Sequence, residues 1–390
     1  MTKLIDITGK ALSGEWGTDD ETGEGIPVLR TTNFTNEGVV NYNDVVTRTI
    51  TKKNIADKFL RKGDIIIEKS GGSDKFPVGR VIYFNGEEKT YLFNNFTGLL
   101  RVKNQDNWYP KYVFYSLYAN YKRGGTRAFE NKTTGLHNLK TDDYVSRYEV
   151  AEIDTSKQIL ICEKLDKSYE IVKLRRQELQ LLDELIKARF VEMFGEPRIN
   201  PNKYPTKMIK DTCIVITGNT PSRKVDEYYG DAIEWIKTDN IVSGLLYPTV
   251  ASESLSASGK AVGRTVDAGA ILMACIAGSV ASIGRVCITD REVAFNQQIN
   301  AIVPKEYDVR FLHALLQISK DYLVEDINMA LKGIMSKSKL EEKEFIVPSM
   351  EEQVGFAEFV EQVNKSKVAI QTALDKSQLL FDSLMQKYFG

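Results

Sequence analysis

Lysines and arginines set beside glycines and hydroxyl residues are the side chains of this sequence best placed to do chemistry, and contact with phosphate is the chemistry they suit. In Tyr121-Lys122-Arg123-Gly124-Gly125-Thr126-Arg127 cations flank glycines that permit close backbone approach. Ser336-Lys337-Ser338-Lys339 pairs hydroxyls with charges. The first half adds Lys75, Arg80 and Lys132; the second adds Arg223, Lys224, Lys260, Arg264, Arg285 and Lys332. Affinity for nucleic acid comes largely from such cations facing phosphates, and specificity from side chains that reach base edges. A solvated surface is the competing reading for any one of them. Arg80 and Arg285, which follow Gly79 and Gly284, equally suit a shared structural role. Ser70-Gly71-Gly72-Ser73 and Ala277-Gly278-Ser279 could cradle an anion on glycine amides. A strand-to-loop bend common to both halves explains them better.

Catalytic patterns are missing. Ser258-Gly259-Lys260-Ala261 lacks the first glycine and the hydroxyl of a phosphate-binding loop. Asp64 with Glu87-Glu88-Lys89 could be read as nuclease metal ligands, but Glu87 and Lys89 follow the Asn85-Gly86 turn, where charge is ordinary. The reading is therefore no catalytic residue and no metal. His137 and His313 are isolated, and His313 sits in an apolar helical stretch that suits a core residue. Cys162, Cys213, Cys275 and Cys287 form no C-x-x-C pair, so a cytoplasmic location without disulfides or zinc is expected. No apolar run approaches the ~18 residues of a membrane span, and no signal-peptide pattern opens the chain. Hydrophobic content of 42% and charged content of 27% are those of a soluble globular protein. The net charge of −1 means that any basic surface is local.

The elements that must carry these residues occur twice. Ile26-Pro27-Val28-Leu29-Arg30-Thr31-Thr32-Asn33 recurs as Ile233-Glu234-Trp235-Ile236-Lys237-Thr238-Asp239-Asn240. Gly63-Asp64-Ile65-Ile66-Ile67 recurs as Gly269-Ala270-Ile271-Leu272-Met273, and Val78-Gly79-Arg80-Val81 as Ile283-Gly284-Arg285-Val286. Phe93-Asn94 matches Phe295-Asn296, and Gly135-Leu136 matches Gly333-Ile334. A period near 200 residues is too long for a solenoid unit of ~20–50 residues, so the chain reads as a duplicated domain. Within the first copy, Ile65-Ile66-Ile67 and Val81-Ile82-Tyr83-Phe84 read as strands. Asn85-Gly86 is a hairpin signal, with Tyr91-Leu92-Phe93 as the return strand. Pro110 suits a first helical turn, and Gly124-Gly125 a stop. Strands and helices mix without a regular βαβ rhythm, which favours α+β (mixed α/β).

Each copy ends in a long heptad helix. The seam of the first runs Ile161, Leu165, Ser168, Val172, Arg175, Leu179, Leu182, Ile186, Arg189, Met193. That of the second runs Phe356, Val360, Val363, Lys367, Ile370, Leu374, Ser377, Phe381, Leu384, Tyr388. Two matched seams in one chain predict that the helices pair antiparallel, with Leu165 near Leu384, Leu179 near Ile370 and Leu182 near Lys367. Leu374 and Phe381 join them in the pairing. The boundaries that follow are 1–152 and 196–349 for the globular domains and 153–195 and 350–390 for the helices.

This layout resembles the specificity subunit of type I restriction-modification enzymes. The resemblance rests on the duplicated order of Thr217-Gly218-Asn219-Thr220-Pro221-Ser222, Ile233–Asn240, Ala268–Met273, Ser282-Ile283-Gly284-Arg285, Phe295-Asn296-Gln297-Gln298 and the terminal Tyr388-Phe389-Gly390. The first copy departs from it, with Ser13-Gly14-Glu15-Trp16-Gly17 at the turn and an added acidic Asp19-Asp20-Glu21. The resemblance implies two target-recognition domains held apart by antiparallel helices, reading two half-sites of double-stranded DNA around an unread spacer. It implies a non-catalytic subunit that recruits two methyltransferase subunits and restriction subunits, with S-adenosylmethionine, ATP and Mg on those partners. The Asn/Asp-Pro-Pro-aromatic tetrapeptide of an adenine methyltransferase is absent. A helix of ~38 residues spans ~57 Å, an upper guide of roughly 17 base pairs for the spacer. A coiled-coil scaffold and the specificity subunit of a related bipartite-site enzyme are the alternatives.

Overall fold

The computed structural model describes residues 1–133, 136–276, 282–325, 327 and 333–390. Contacts divide the chain into two compact units, Met1–Leu174 with Leu374–Gly390, and Arg175–Ala373. The division passes through both long helices, Thr155–Phe194 and Met350–Phe389.

In the first unit an antiparallel sheet runs in the order Leu12–Ser13, Thr97–Leu100, Ile65–Glu68, Val81–Tyr83. Every residue of Ile65–Glu68 is buried because both faces of this sheet are covered. Alternation sends Ile65 and Ile67 to one side, where they meet Val113 and Leu117 of the helix Pro110–Lys122. Ile66 points to the other, against Leu29, Phe84 and Phe93. A second sheet runs Thr18–Asp19, Val46–Thr49, Ile26–Leu29, Leu92–Phe93, and its last pair is parallel. Leu92–Phe93 is therefore not the return strand of a hairpin from Val81–Tyr83. Phe93 is wholly buried in the cluster between the sheets, and it joins Leu29 in parallel register. Pro110 does open its helix, and Gly124, at φ 75°, lies just past its end.

The second unit repeats this plan. Its first sheet runs Cys213–Thr217, Ile299–Pro304, Ile271–Ala274, Val286–Ile288. Ile271 and Met273 face one cluster, Leu272 and Ala274 another. Its second sheet runs Ser254–Leu255, Tyr229–Ile236, Val293–Phe295, Thr265–Val266, again with one parallel pair, Trp235 to Ala294 and Ile236 to Phe295.

Inside each unit the segments of the two long helices run antiparallel. In the first, Leu165 packs with Phe381, Leu384 and Met385, and the Tyr169 and Phe381 rings lie 5.8 Å apart. In the second, Phe190 and Phe194 pack on Phe356 with ring centroids 5.3 and 5.7 Å apart, and Lys367 pairs with Asp183 at 2.6 Å. All the seam residues named from the heptads are buried or half-buried. The charged ones reach partners from the seam: Arg175 pairs with Glu178, Arg189 with Glu192 and the Phe359 ring.

Candidate nucleic-acid interface

Both units build the same polar turn. In the first, the short helix Thr31–Asn33 is closed by Asn33, whose Oδ1 accepts the Arg30 amide at 3.0 Å while its Nδ2 donates to the carbonyls of Asn41 and Asp44. In the second, Asn240 Oδ1 accepts the Lys237 amide at 3.0 Å, and its Nδ2 donates to Thr249 Oγ1 and the Val250 carbonyl. Arg80 and Arg285 tie this turn down. Arg80 donates to the carbonyls of Thr31 and Phe34 at 3.0 and 2.9 Å and to Glu68 at 3.1 Å. Arg285 donates to the carbonyls of Thr238 and Ser282 at 3.3 and 3.2 Å. The phosphate-facing reading of these two arginines is accordingly replaced by the structural one. Burial pushes the Glu68 carboxyl up, against the lowering effect of Arg80.

Beside each polar turn lies a glycine where nothing larger fits. A Cβ on Gly14 would stand 2.2 Å from the carbonyl oxygens of Phe93 and Asn94. On Gly218 it would stand 2.2 and 2.5 Å from those of Asn296 and Phe295. The two copies thus share this turn even though their following residues differ. In the second unit Asn219 donates to the Val262 carbonyl and accepts the Arg264 amide, Tyr229 donates to the Pro221 carbonyl, and Trp235 Nε1 donates to the Asn219 carbonyl. The exposed Arg223 guanidinium lies 4.3 Å over Tyr229 and 5.1 Å over Trp235, and pairs with Glu253 at 2.6 Å. Lys237 pairs with Glu253 at 2.6 Å from the other side, and these two cations, Lys237 foremost, lower the Glu253 carboxyl. In the first unit Arg48 lies 4.3 Å over Trp16 and pairs with Asp19. Lys52 and Lys58 converge on Glu15 and lower its carboxyl, Lys52 foremost. An aromatic ring with cations around one turn is an arrangement that can meet a phosphate backbone and stack on a base.

Residues 201–378 match the type I restriction modification DNA specificity domain. This chain is a relative of the type I restriction-enzyme specificity subunits. It is 32% identical over 178 residues to the type I restriction enzyme MjaIX specificity subunit of Methanocaldococcus jannaschii, covering 43% of this chain and 40% of that one. It is 29% identical over 157 residues to the HindI specificity subunit of Haemophilus influenzae, covering 39% and 33%. The aligned segments thus span less than half the length of either relative. Among solved structures, the S subunit of the type I system from M. genitalium covers the chain at TM-score 0.56 and 14% identity, over 100% of this chain and 95% of that one. A chain from a type I R-M system structure concerned with complex assembly and conformational transition matches at TM-score 0.55 and 15% identity, over 100% and 96%. At these identities the likeness is one of fold.

The cations singled out in the sequence of this specificity-subunit relative fall into three groups. Arg223, Lys224 and Arg264 are exposed and frame the Gly218 turn; Lys260 is half-buried nearby and pairs with Glu292 at 2.6 Å. Lys75 and Arg127 form a second group. Arg127 donates to the carbonyls of Asp74 and Lys75, on a loop that exposes Phe76. Lys122 lies over Tyr118, and Arg123 donates to the Phe389 carbonyl at the end of the second long helix, so Arg123 serves as a helix-end anchor. Gly125 makes room for Asn120, whose Nδ2 would lie 2.2 Å from a Cβ there, so it is not a gap left for a ligand. Lys337 pairs with Glu341 at 3.5 Å, and Lys339 is exposed on the same short helix. Lys132 lies in a strand. Lys332 and Ala277-Gly278-Ser279 are outside the described residues. Ser70–Gly72 is itself a strand, entered by a bend at Lys69.

Asp64 has no metal-ligand role open to it. Both its oxygens accept from Arg101, at 2.7 and 2.6 Å, while Glu88 accepts the Lys62 amide. His313 is buried, and burial holds its ring down to about 4, neutral at physiological pH. Arg48, Lys52, Lys58 and Lys237 escaped the sequence reading. Their signal, a cation paired across strands with the turn, exists only in three dimensions.

Proposed function

We propose that this chain is the DNA-specificity subunit of a type I restriction-modification complex. The reading rests above all on the duplicated turn: the same strand order, parallel pair and crowded glycine occur at Gly14 and Gly218, and the second copy matches the specificity domain. Each copy would read one half of a bipartite site in double-stranded DNA, with the long helices setting the spacer. The subunit would be non-catalytic. Two methyltransferase subunits and the restriction subunits would bring S-adenosylmethionine, ATP and Mg. Leu160, Ile171 and Leu174 of the first long helix and Leu379 and Leu380 of the second are exposed, which supports docking of protein partners along these helices. No helix among the described residues is long and apolar enough to cross a membrane, and DNA as the ligand favours a cytoplasmic site of action.

The test is a mobility-shift titration of the chain with its methyltransferase partner over a range of salt. Specific binding with a steep salt dependence is expected. A complex that forms without any salt-dependent DNA binding would leave only a scaffold. Methyl transfer by the rigorously purified single chain would overturn the non-catalytic assignment.

A further inference from the structure

The duplication supplies an internal control: what the fold needs should occur in both copies. One feature of the first unit breaks that rule. A pocket of about 660 Å³ opens where three segments meet: residues 8–12, the turn before Ile65–Glu68, and the end of Thr97–Leu100 with the residues after it. Lys10, Arg61, Lys62, Arg101 and Lys103 line it, with Asp64 as the one carboxylate in the lining.

The cations differ in what holds them. Arg101 is fixed by the buried Asp64 and by the carbonyls of Asp57 and Phe59, both at 2.9 Å, so its charge is neutralised in place. Arg61 lies 3.8 Å from the exposed Asp57. Lys10, Lys62 and Lys103 are exposed around the opening. Lys103 runs over Gly9, where a Cβ would stand 2.9 Å from its Cε. Even with Asp57 and Glu88 near the rim, cations outnumber carboxylates.

Strand register locates the same place in the second unit. Leu12 pairs with Leu99 as Ile216 pairs with Ala301, and Ile65 pairs with Leu100 as Ile271 pairs with Ile302. Lys10 then corresponds to Ile214, Arg61 and Lys62 to Asp267 and Ala268, Asp64 to Ala270, and Arg101 to Val303. Only Lys103 keeps a cation, at Lys305. The fold closes this corner without a basic pocket, so the cations serve something other than folding.

We propose that this pocket binds phosphoryl oxygens, giving the first unit an anion site that the second lacks. Converging ammonium groups without a free carboxylate select a multiply charged anion, and the volume exceeds what one phosphate needs. The source is either the backbone of DNA held by the first unit, which would deepen the proposed function, or a free polyphosphate such as a nucleoside triphosphate.

The full chain and the triple variant Lys10→Ala, Lys62→Ala, Lys103→Ala are compared, with the triple lysine-to-arginine variant as a rescue and thermal unfolding as a fold control. Calorimetry with inorganic tripolyphosphate and DNA binding across a salt series are the readouts. If the backbone of DNA is the ligand, the salt slope of the alanine variant falls by about 2, near 0.9 per phosphate lost, and the arginine variant restores it. If a free polyphosphate is the ligand, tripolyphosphate binding is lost while the slope stays. Tripolyphosphate binding that depends on the lysines in a chain that binds no DNA would keep the pocket and sink the DNA reading. An unchanged slope together with no lysine-dependent tripolyphosphate binding would overturn the pocket.

Discussion

At the scale of single residues the repeat makes opposite predictions for two glycines. Gly218→Ala drives a methyl into the carbonyls of Asn296 and Phe295, and overpacking of this kind costs about 1–3 kcal/mol. Gly355 lies in the second long helix with nothing within 4 Å of a Cβ, so Gly355→Ala should stabilise by about 0.5–1 kcal/mol. Denaturant unfolding of both variants checks the signs. His313 gives a pH dependence. Its folded value of about 4 lies below the ordinary 6.5, so the unfolded chain takes up the proton first. The stability it contributes is whole above 6.5 and drains away as pH falls toward 4. His313→Gln should flatten the stability curve of the chain within that window; an unchanged curve would show that another group titrates there. Sequence reasoning could place His313 in the core because an apolar helical period surrounds it. It could not assign Arg80 and Arg285, because a cation after a glycine looks the same whether it meets a phosphate or a carbonyl across a sheet.

At the scale of elements the long helices were the plainest signal, since the heptad places every seam position on one face, polar ones included. Helix limits and the direction of pairing follow from that period alone. The strand Leu92–Phe93 was misassigned for an equally physical reason. Asn85-Gly86 fixes a local turn but not which strand the chain joins afterwards, and that choice is made by burial of Phe93 between two sheets. The aromatic cluster of Phe190, Phe194, Phe311 and Phe356 joins both long helices to the helix Val309–Ile318. Phe356→Ala should cost about 3–5 kcal/mol. Lys367→Ala, whose partner Asp183 is half-exposed, should cost no more than about 1 kcal/mol. Chemical denaturation of the two variants should rank them in that order; equal losses would mean that the charged seam position does more than fill its layer.

At the scale of the whole molecule the sequence declared a duplication, and the strand orders of the two units repeat it. The central claim is that the two copies divide one recognition task. It is tested most directly by replacing residues 206–349 with the equivalent domain of another specificity subunit and mapping methylated sites across the genome of a host carrying the matching methyltransferase. The account predicts a bipartite site in which one half changes while the other half is kept. A swap that altered both halves together, or neither, would contradict it.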